Sequence, residues 1–258
     1  GISLSATKVQ SFIDCPRKYY FQYVDRIANF PKLINNVLPN QMGIIEHDII
    51  GKFLLKHESW KEKEHLEITR HCLEEFCTNE RIILNELNFE TLFIELRDYT
   101  KKAIVNLLLL RNLGEGNGFK FEESIKDYYE NDKTSFSGSI DCQFEFLGVK
   151  GLLDFKRSKS GIPSLKEMDS FEKIQLYFYL LHGPEAFEEL SLWGFLNISD
   201  PEESLIYVRD EDVKKKMEEI GFLKGVKFKN VPIDVDILGN YKKFEDEILS
   251  RAITKYCA

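Results

Sequence analysis

The sequence lacks long hydrophobic runs, a surplus of basic residues and an even set of cysteines. Its longest apolar run, from Ile104 to Leu110, is interrupted by Asn106, whereas a membrane-spanning helix needs roughly 20 predominantly apolar residues. We therefore predict no membrane partner. No charged-then-apolar segment opens the chain, and the 5 cysteines at irregular spacing do not indicate a disulfide framework. These absences favour a reducing, cytoplasmic location.

The balance of acidic and basic residues restricts how the chain can bind nucleic acid. The 258 residues include 35 Lys and Arg and 43 Asp and Glu, which gives a net charge of −8. This balance argues against a protein that coats nucleic acid through bulk charge, but it allows an enzyme with one basic groove. Hydrophobic residues make up 43% of the chain, enough for a sizeable core, and we expect a single domain over residues 1–258.

Hydrophobic spacing predicts that the first half of the chain is helical. Ser5 can cap the first helix, and Pro16 should bend or divide it because proline removes a backbone donor. The Glu-, Lys- and Leu-rich stretch before Gly114 contains no Pro or Gly and predicts an all-helical insert at about 58–115. The predicted elements are a helix over 5–24, a loop over 25–40, a helix over 43–57 and two or three helices over 60–113.

The second half contains apolar segments typical of strands. Gly148 lies between two of them, which predicts a tight hairpin. Helices alternate with the strands, so the predicted fold class is α/β, with a mixed central sheet flanked by helices. The predicted elements are strands that begin at Phe119, Ile140 and Val149, a helix over 166–182, strands over 191–196 and 204–208, and helices over 210–220 and 240–256.

The region from 138 to 179 carries the most informative chemistry. Asp141 and Asp154 lie in apolar strands, where an ionised carboxylate is costly unless something compensates it. If the strands pair around the hairpin, both acids can face one side and hold a divalent cation. Lys156 shares the face of Asp154 because alternate strand residues point the same way, and its ammonium could stabilise charge on a phosphate. A simple salt bridge between Asp154 and Lys156 is the alternative.

Five motifs, in order along the chain, resemble one known family. They are the opening helix from Leu4 to Phe21 with its Cys15-Pro16, Gly43 to His47 (G-x-x-x-H), Gly138 to Asp141 (G-x-x-D), Asp154 to Lys156 (D-x-K) and Gln175 to Tyr179 (Q-x-x-x-Y). The set is similar to that of the RecB-like branch of the PD-(D/E)xK nucleases. That branch includes the nuclease domains of AddB-type helicase-nucleases and the CRISPR-associated RecB-like exonucleases. The resemblance implies a restriction-endonuclease-like core.

The resemblance also implies a role for each matching position. The implied ligands of Mg²⁺ or Mn²⁺ are His47, Asp141, Asp154 and the backbone carbonyl of Phe155. The implied catalytic residues are Lys156, Asp141, Asp154, Gln175 and Tyr179. The last two lie four residues apart, on one helix face, and would contact the DNA strand or order the lysine. Glu122 or Glu123 would add a further acid, unless it is a solvated strand residue.

Many members of this family hold an iron–sulfur cluster with one cysteine from the Cys-Pro motif and three near the C-terminus. Cys15 is in place here, but Cys257 is the only late cysteine, and four thiolates are the usual requirement. We therefore expect no intact cluster. Either this relative has lost it, or the sequence is a fragment cut inside the motif.

Two basic segments are candidates for contact with DNA. Arg17 and Lys18 belong to a basic and aromatic segment, in which cations can meet phosphates and rings can stack on bases. Arg157 and Lys159 lie in the loop that follows the candidate catalytic lysine. The alternative for the first segment is that its aromatic residues face the core and its charges face water.

The leading hypothesis is a metal-dependent deoxyribonuclease, by resemblance an exonuclease of recombination or repair. Its partners would be DNA and a helicase or other recombination subunit. A second hypothesis is a catalytically silent nuclease fold that binds DNA or serves as a scaffold in a larger complex. A third is an endonuclease that resolves branched DNA.

Overall fold

A mixed sheet organises the residues that the structure, a computed structural model, describes. Those residues are 2–27, 36–113, 119–128, 134–183, 189–222, 224–226, 228–230 and 235–252. The strands are β1 (Ile2–Leu4), β2 (Phe119–Tyr128), β3 (Thr134–Phe146), β4 (Val149–Lys156), β5 (Leu192–Asn197), β6 (Leu205–Val208) and β7 (Lys229–Asn230). The α-helices are α1 (Ala6–Asp14), α2 (Pro16–Tyr19), α3 (Pro39–Lys56), α4 (Glu62–Glu80), α5 (Glu86–Leu113), α6 (Leu165–Asp169), α7 (Gln175–His182), α8 (Glu211–Glu219) and α9 (Val235–Ala252), and a π-helical turn (Tyr20–Val24) follows α2.

Parallel and antiparallel pairs alternate across this seven-stranded sheet, counted within the described residues. The strand order is β1, β3, β4, β5, β6, β7, and β2 pairs with β3 outside that path. The pairs β1–β3, β4–β5 and β6–β7 are parallel, and the pairs β2–β3, β3–β4 and β5–β6 are antiparallel. This topology confirms the predicted α/β class with a mixed central sheet.

A two-residue turn joins β3 to β4. Phe146 pairs with Val149 across the hairpin. The two residues between them, Leu147 and Gly148, have φ values of 48° and 74°. Positive φ at both central positions is the signature of a type I′ turn, whose twist matches that of the flanking strands. The predicted hairpin around Gly148 is therefore confirmed.

The strands β3 and β4 begin to separate next to Asp141. β2 pairs with β3 over nearly its whole length. On the opposite edge, β3 pairs with β1 at its start and with β4 at its end. The β3–β4 pair farthest from the hairpin turn joins Cys142 to Leu153. Asp141 lies immediately beyond that pair, so its side chain stands where the two strands begin to separate.

Helices cover both faces of the sheet. Residues of α3, α4, α5 and α8 pack against Leu153, Leu196 and Ile206 in one hydrophobic cluster. Residues of α1, α7 and α9 pack against Leu152 and Trp193 in a second cluster. Successive residues of β4 belong to different clusters, as expected of a strand that is buried on both sides.

The N-terminal predictions agree with the described residues except at one boundary, and residues 28–35 of the predicted loop lie outside the described part of the chain. Ser5 caps α1 by accepting a hydrogen bond from the backbone N–H of Lys8 at 3.3 Å, and Pro16 divides the first helical segment. The second helix begins at Pro39 rather than at Gly43, because proline suits the first turn of a helix. The insert consists of the two helices α4 and α5.

The predicted single helix over 166–182 is wrong. Ser164 and Glu167 form a capping box that starts α6, which ends at Asp169. Phe171 then adopts a left-handed conformation with φ of 57°, and the chain returns to helix only at Gln175. A non-glycine residue in this conformation stops a right-handed helix.

The last predicted helix, over 240–256, begins earlier and is described only in part. The structure places α9 at Val235–Ala252, and residues 253–256 lie outside the described part of the chain. Among the helices that the structure describes, none is long and apolar enough to cross a lipid bilayer.

Candidate metal centre and adjoining lysine

A distortion in β2 brings a glutamate to the point where β3 and β4 separate. Glu122 has a φ of 52° and lies between the register pairs Phe121–Cys142 and Glu123–Ile140, opposite Asp141. Its Oε2 accepts a hydrogen bond from Ser139 Oγ at 2.6 Å. The sequence left Glu122 and Glu123 as alternatives. The structure brings Glu122 to the site, and the side chain of Glu123 lies outside the described residues.

His47 completes a group of three potential metal ligands. Its Nδ1 lies 3.5 Å from Asp141 Oδ1 and 3.9 Å from Glu122 Oε1. One ligand atom from each of these three residues lies within 4.8 Å of the other two. The imidazole contacts the ring of Phe155 edge-on, with centroids 5.5 Å apart, and α3 holds it above the strands. A helix and two strands therefore direct an imidazole and two carboxylates to one point.

Asp141 also joins the two diverging strands. Its Oδ2 accepts a hydrogen bond from the backbone N–H of Phe155 at 2.6 Å, while Oδ1 faces His47. The carboxylate is mostly buried, with 7% of the residue exposed. The hydrogen bond from β4 to Oδ2 therefore fixes the position of Asp141, and Oδ1 is left to face the other potential ligands.

Asp154 and Lys156 form the adjoining part of the site. Asp154 is 1% exposed, and its Oδ2 lies 2.5 Å from Lys156 Nζ. Gln175 donates from Nε2 to Asp154 Oδ1 at 2.7 Å and accepts from Lys156 Nζ at 2.7 Å. Gln175 Nε2 also donates to the Tyr179 hydroxyl at 2.9 Å. The structure therefore brings together the acid, the lysine, the glutamine and the tyrosine of the last two motifs, and Asp154 pairs with the lysine rather than joining the group of three ligands.

The electrostatics of the site follow from burial and from its acids. Burial by itself lowers the pKa of His47. The charge and hydrogen bond of Asp141 outweigh this effect, and together with the charges of Asp154 and Glu122 they raise the pKa to about 9. Burial raises the pKa of Asp154, and the charge of Asp141 adds to the increase, although Lys156 opposes it. A cation held by the imidazole must displace its proton, because metal binding requires the neutral ring.

The predicted nucleic-acid contacts fall in two different environments. Arg17 and Lys18 are exposed, and the guanidinium carbon of Arg17 lies 5.6 Å from the centroid of the Phe21 ring. Lys159 is exposed and pairs with Glu203. Contact of these three cations with DNA stays a prediction.

Arg157 instead reaches into a buried acidic cluster. Its Nε lies 3.6 Å from Oε1 of the fully buried Glu46, and it also pairs with Glu95 of α5. Burial raises the pKa of Glu46 to about 7, although Arg157 opposes the change. This ion cluster ties the end of β4 to α3 and to the helical insert, and a direct contact of Arg157 with DNA stays a prediction.

One of the two cysteines of the implied iron–sulfur site lies within the described part of the chain. Cys15 is exposed at the junction of α1 and α2. Cys257 lies outside the described residues. The expectation of no intact cluster therefore stays a prediction.

Gln10 is a site-supporting residue that the sequence did not single out. Its side chain donates to the carbonyl of Glu172 at 2.6 Å and accepts from the backbone N–H of Ile174 at 3.2 Å. These bonds tie α1 to the segment that immediately precedes Gln175. A glutamine on an amphipathic helix carries no signal of such a contact, since its partners lie 162 and 164 residues away.

The ligand group suits a divalent cation. Carboxylate oxygens are the preferred ligands of Mg²⁺ and Mn²⁺, and imidazole is a common ligand of transition metals. Two carboxylates and an imidazole leave room for water and substrate oxygens, and the lysine beside them supplies a fixed positive charge. An α/β fold with such a site defines the class of metal-dependent nucleases.

The comparison with protein families agrees with this class. The family model of the PD-(D/E)XK nuclease superfamily matches residues 3–247. The chain therefore belongs to the PD-(D/E)XK nuclease superfamily, and its mixed sheet is the restriction-endonuclease-like core that the motifs predicted. No curated protein matches the chain.

Proposed function

We propose that this chain is a Mg²⁺- or Mn²⁺-dependent deoxyribonuclease that acts as an exonuclease on DNA. The proposal is carried by the convergence of His47, Glu122 and Asp141, whose ligand atoms lie within 4.8 Å of one another. Beside them, an ammonium is held 2.5 Å from Asp154. Hydrolysis of a phosphodiester needs both parts, because a cation must be held and the charge that develops on the phosphate must be stabilised.

The three converging residues would hold the cation. By the family resemblance, Asp154 and the carbonyl of Phe155 would complete its protein ligands, for which Asp154 would turn from Lys156 towards the cation. When bound, the cation supplies the positive charge that acidifies a water molecule and stabilises the phosphate. Lys156 would stabilise the negative charge that develops on the phosphate oxygens. Gln175 would hold the lysine at that position through its bonds to Lys156 and Asp154, and Tyr179 would orient Gln175.

The wider setting of the enzyme follows from the motif order. We place the chain in the RecB-like branch of the superfamily, as a single nuclease domain that carries its helical insert between α3 and β2. A cytoplasmic role in recombination or repair, with a helicase or other recombination subunit as partner, is part of the same proposal.

Degradation of end-labelled linear DNA tests the proposal. We expect cleavage with Mg²⁺ or Mn²⁺ and none with chelator. The variants Lys156→Ala and Asp141→Asn should each lower the rate by roughly 100-fold or more, as expected for loss of a charge that acts in the transition state. Lys150→Ala is a matched control, because Lys150 lies on the same strand but pairs with the exposed Glu189. It should cleave at the wild-type rate.

The other outcomes separate the alternatives. Retention of DNA without cleavage in either metal would support a silent binding module and refute the enzyme. Cleavage of circular single-stranded DNA would show endonuclease activity, since a strict exonuclease leaves circles intact. Cleavage that survives both site variants would place the chemistry elsewhere in the protein.

A further inference from the structure

A cavity of about 600 Å³ adjoins the proposed catalytic lysine. Its wall includes Lys156 and Gln175, together with residues of α1, the π-helical turn and the segment before α7. The ligand group of His47, Glu122 and Asp141 does not line it. The cavity therefore lies beside the metal centre, and a DNA strand cut there can continue past Lys156 into it.

The wall of the cavity carries lysines that can contact a phosphate. Three lysines line the cavity, namely Lys18, Lys156 and Lys173, against the two acids Asp14 and Glu167. Both acids accept hydrogen bonds within the protein: Asp14 from a glutamine of its own helix at 2.8 Å, and Glu167 from the residue that caps α6 at 2.8 Å. Lys18 forms no ion pair with any described residue, whereas Lys173 lies near enough to Glu167 to help lower the pKa of that carboxyl. Because Lys156 is already paired with Asp154, Lys18 and Lys173 are the lysines of this wall that can contact a bound phosphate.

An aromatic ring in the wall suits a nucleobase. Tyr23 adds a half-buried ring, held 5.3 Å from that of Tyr19. Bases are bound through stacking on aromatic rings and hydrogen bonds to their edges.

We propose that this cavity binds one nucleotide of the DNA strand, next to the phosphate that is cut. Lys18 and Lys173 would contact its phosphate, and Tyr23 would stack on its base. The volume falls within the roughly 300–1,000 Å³ of pockets that enclose a small organic ligand, and one nucleotide is a ligand of that size. The placement next to the cut phosphate rests on the proposed nuclease function.

Binding of deoxynucleoside monophosphates to the full chain in the presence of chelator tests the cavity without cleavage. We expect dAMP and dTMP to bind, and Lys173→Ala or Tyr23→Leu to weaken binding roughly tenfold. Tyr23→Phe should bind normally because it keeps the ring. Lys166→Ala is the matched lysine control, since Lys166 is exposed on α6 and does not line the cavity. Absence of binding, or equal binding by the wild type and the two cavity variants, would overturn the proposal.

A set of oligonucleotides with one abasic residue at successive positions then tests the placement. In single-turnover reactions with Mn²⁺, we expect one position beside the cut bond to slow the wild type roughly tenfold, and Tyr23→Leu to lose this sensitivity. Equal rates at every position would overturn the placement. If Lys156→Ala cleaves all oligonucleotides normally, the nuclease proposal fails instead, while the binding result in chelator stands on its own.

Discussion

Protonation of His65 should destabilise the protein in weak acid. This histidine is fully buried, with its ring centroid 4.8 Å from that of Trp60 and 5.9 Å from that of Phe53. Its Nε2 lies 2.8 Å from Thr100 Oγ1, which itself donates to the carbonyl of Leu96. The ring must therefore donate from Nε2, and Nδ1 has no described partner. A second proton would place an unpaired N–H and a charge among aromatic rings.

The size of the effect follows from the pKa. Burial, with nearby Lys101 and Arg97, lowers the pKa of His65 from 6.5 to about 4. Between these values the unfolded chain takes up a proton that the folded chain does not, so the free energy of unfolding rises with pH. The contribution is complete above pH 6.5 and is lost as the pH falls towards 4. At about 1.4 kcal/mol per pKa unit, the loss is about 3 kcal/mol.

The comparison with His65→Gln isolates this contribution. Glutamine keeps an N–H donor for Thr100 and does not titrate. In denaturant unfolding from pH 7 to pH 4, the stability of the wild type relative to the variant should fall by about 3 kcal/mol. His71→Gln is the control, because His71 lies on the same helix with 69% of its side chain exposed. If the difference in free energy of unfolding between the wild type and His65→Gln stays constant with pH, the reasoning is refuted. An NMR titration that gives His65 a pKa above 6 would refute it as well.

Three further predictions concern buried contacts around the site. Gln10→Ala should lower the single-turnover cleavage rate roughly tenfold, because the first turn of α7 loses its anchor; an unchanged rate would refute this. Glu245→Ala should destabilise the protein by roughly 2–4 kcal/mol in denaturant unfolding, because it removes the buried carboxylate that lies 2.8 Å from His182 and accepts from the Tyr241 hydroxyl at 2.8 Å, and an unchanged stability would refute this. Arg157→Met should cost roughly 1–3 kcal/mol by the same measurement, because Glu46, whose pKa is already about 7, loses its ion pair and takes up a proton, and an unchanged stability would contradict the role of the cluster.

Local patterns predicted the parts of the site that lie within single elements. Asp154 and Lys156 share a strand face, and Gln175 and Tyr179 share a helix face, so residue spacing alone places each pair together. The I′ turn at Gly148 likewise depends on its own two residues. The position of His47 beside Asp141 is a contact between distant elements, and only the family resemblance indicated it.

The features that the sequence did not predict depend on backbone conformation or tertiary contacts. Apolar residues continue at helical spacing through Met168, Phe171 and Ile174, so hydrophobic periodicity cannot reveal the break at 170–174. The choice of Glu122 depends on its left-handed backbone, which a β-strand pattern does not encode. The pairing of Arg157 with Glu46 is equally invisible, because an arginine in a loop beside a candidate nuclease site is expected to face DNA.

The bond from Phe155 to Asp141 has a practical consequence for anyone who needs an inactive form of this protein. Truncation of the aspartate to alanine would strip an acceptor from a buried amide as well as a ligand from the cation, so lost activity would be confounded with a loosened sheet. Asparagine keeps a carbonyl oxygen that can accept from that amide while it removes the negative charge. Asp141→Asn is therefore the better first choice for an inactive variant with which to trap a complex with DNA.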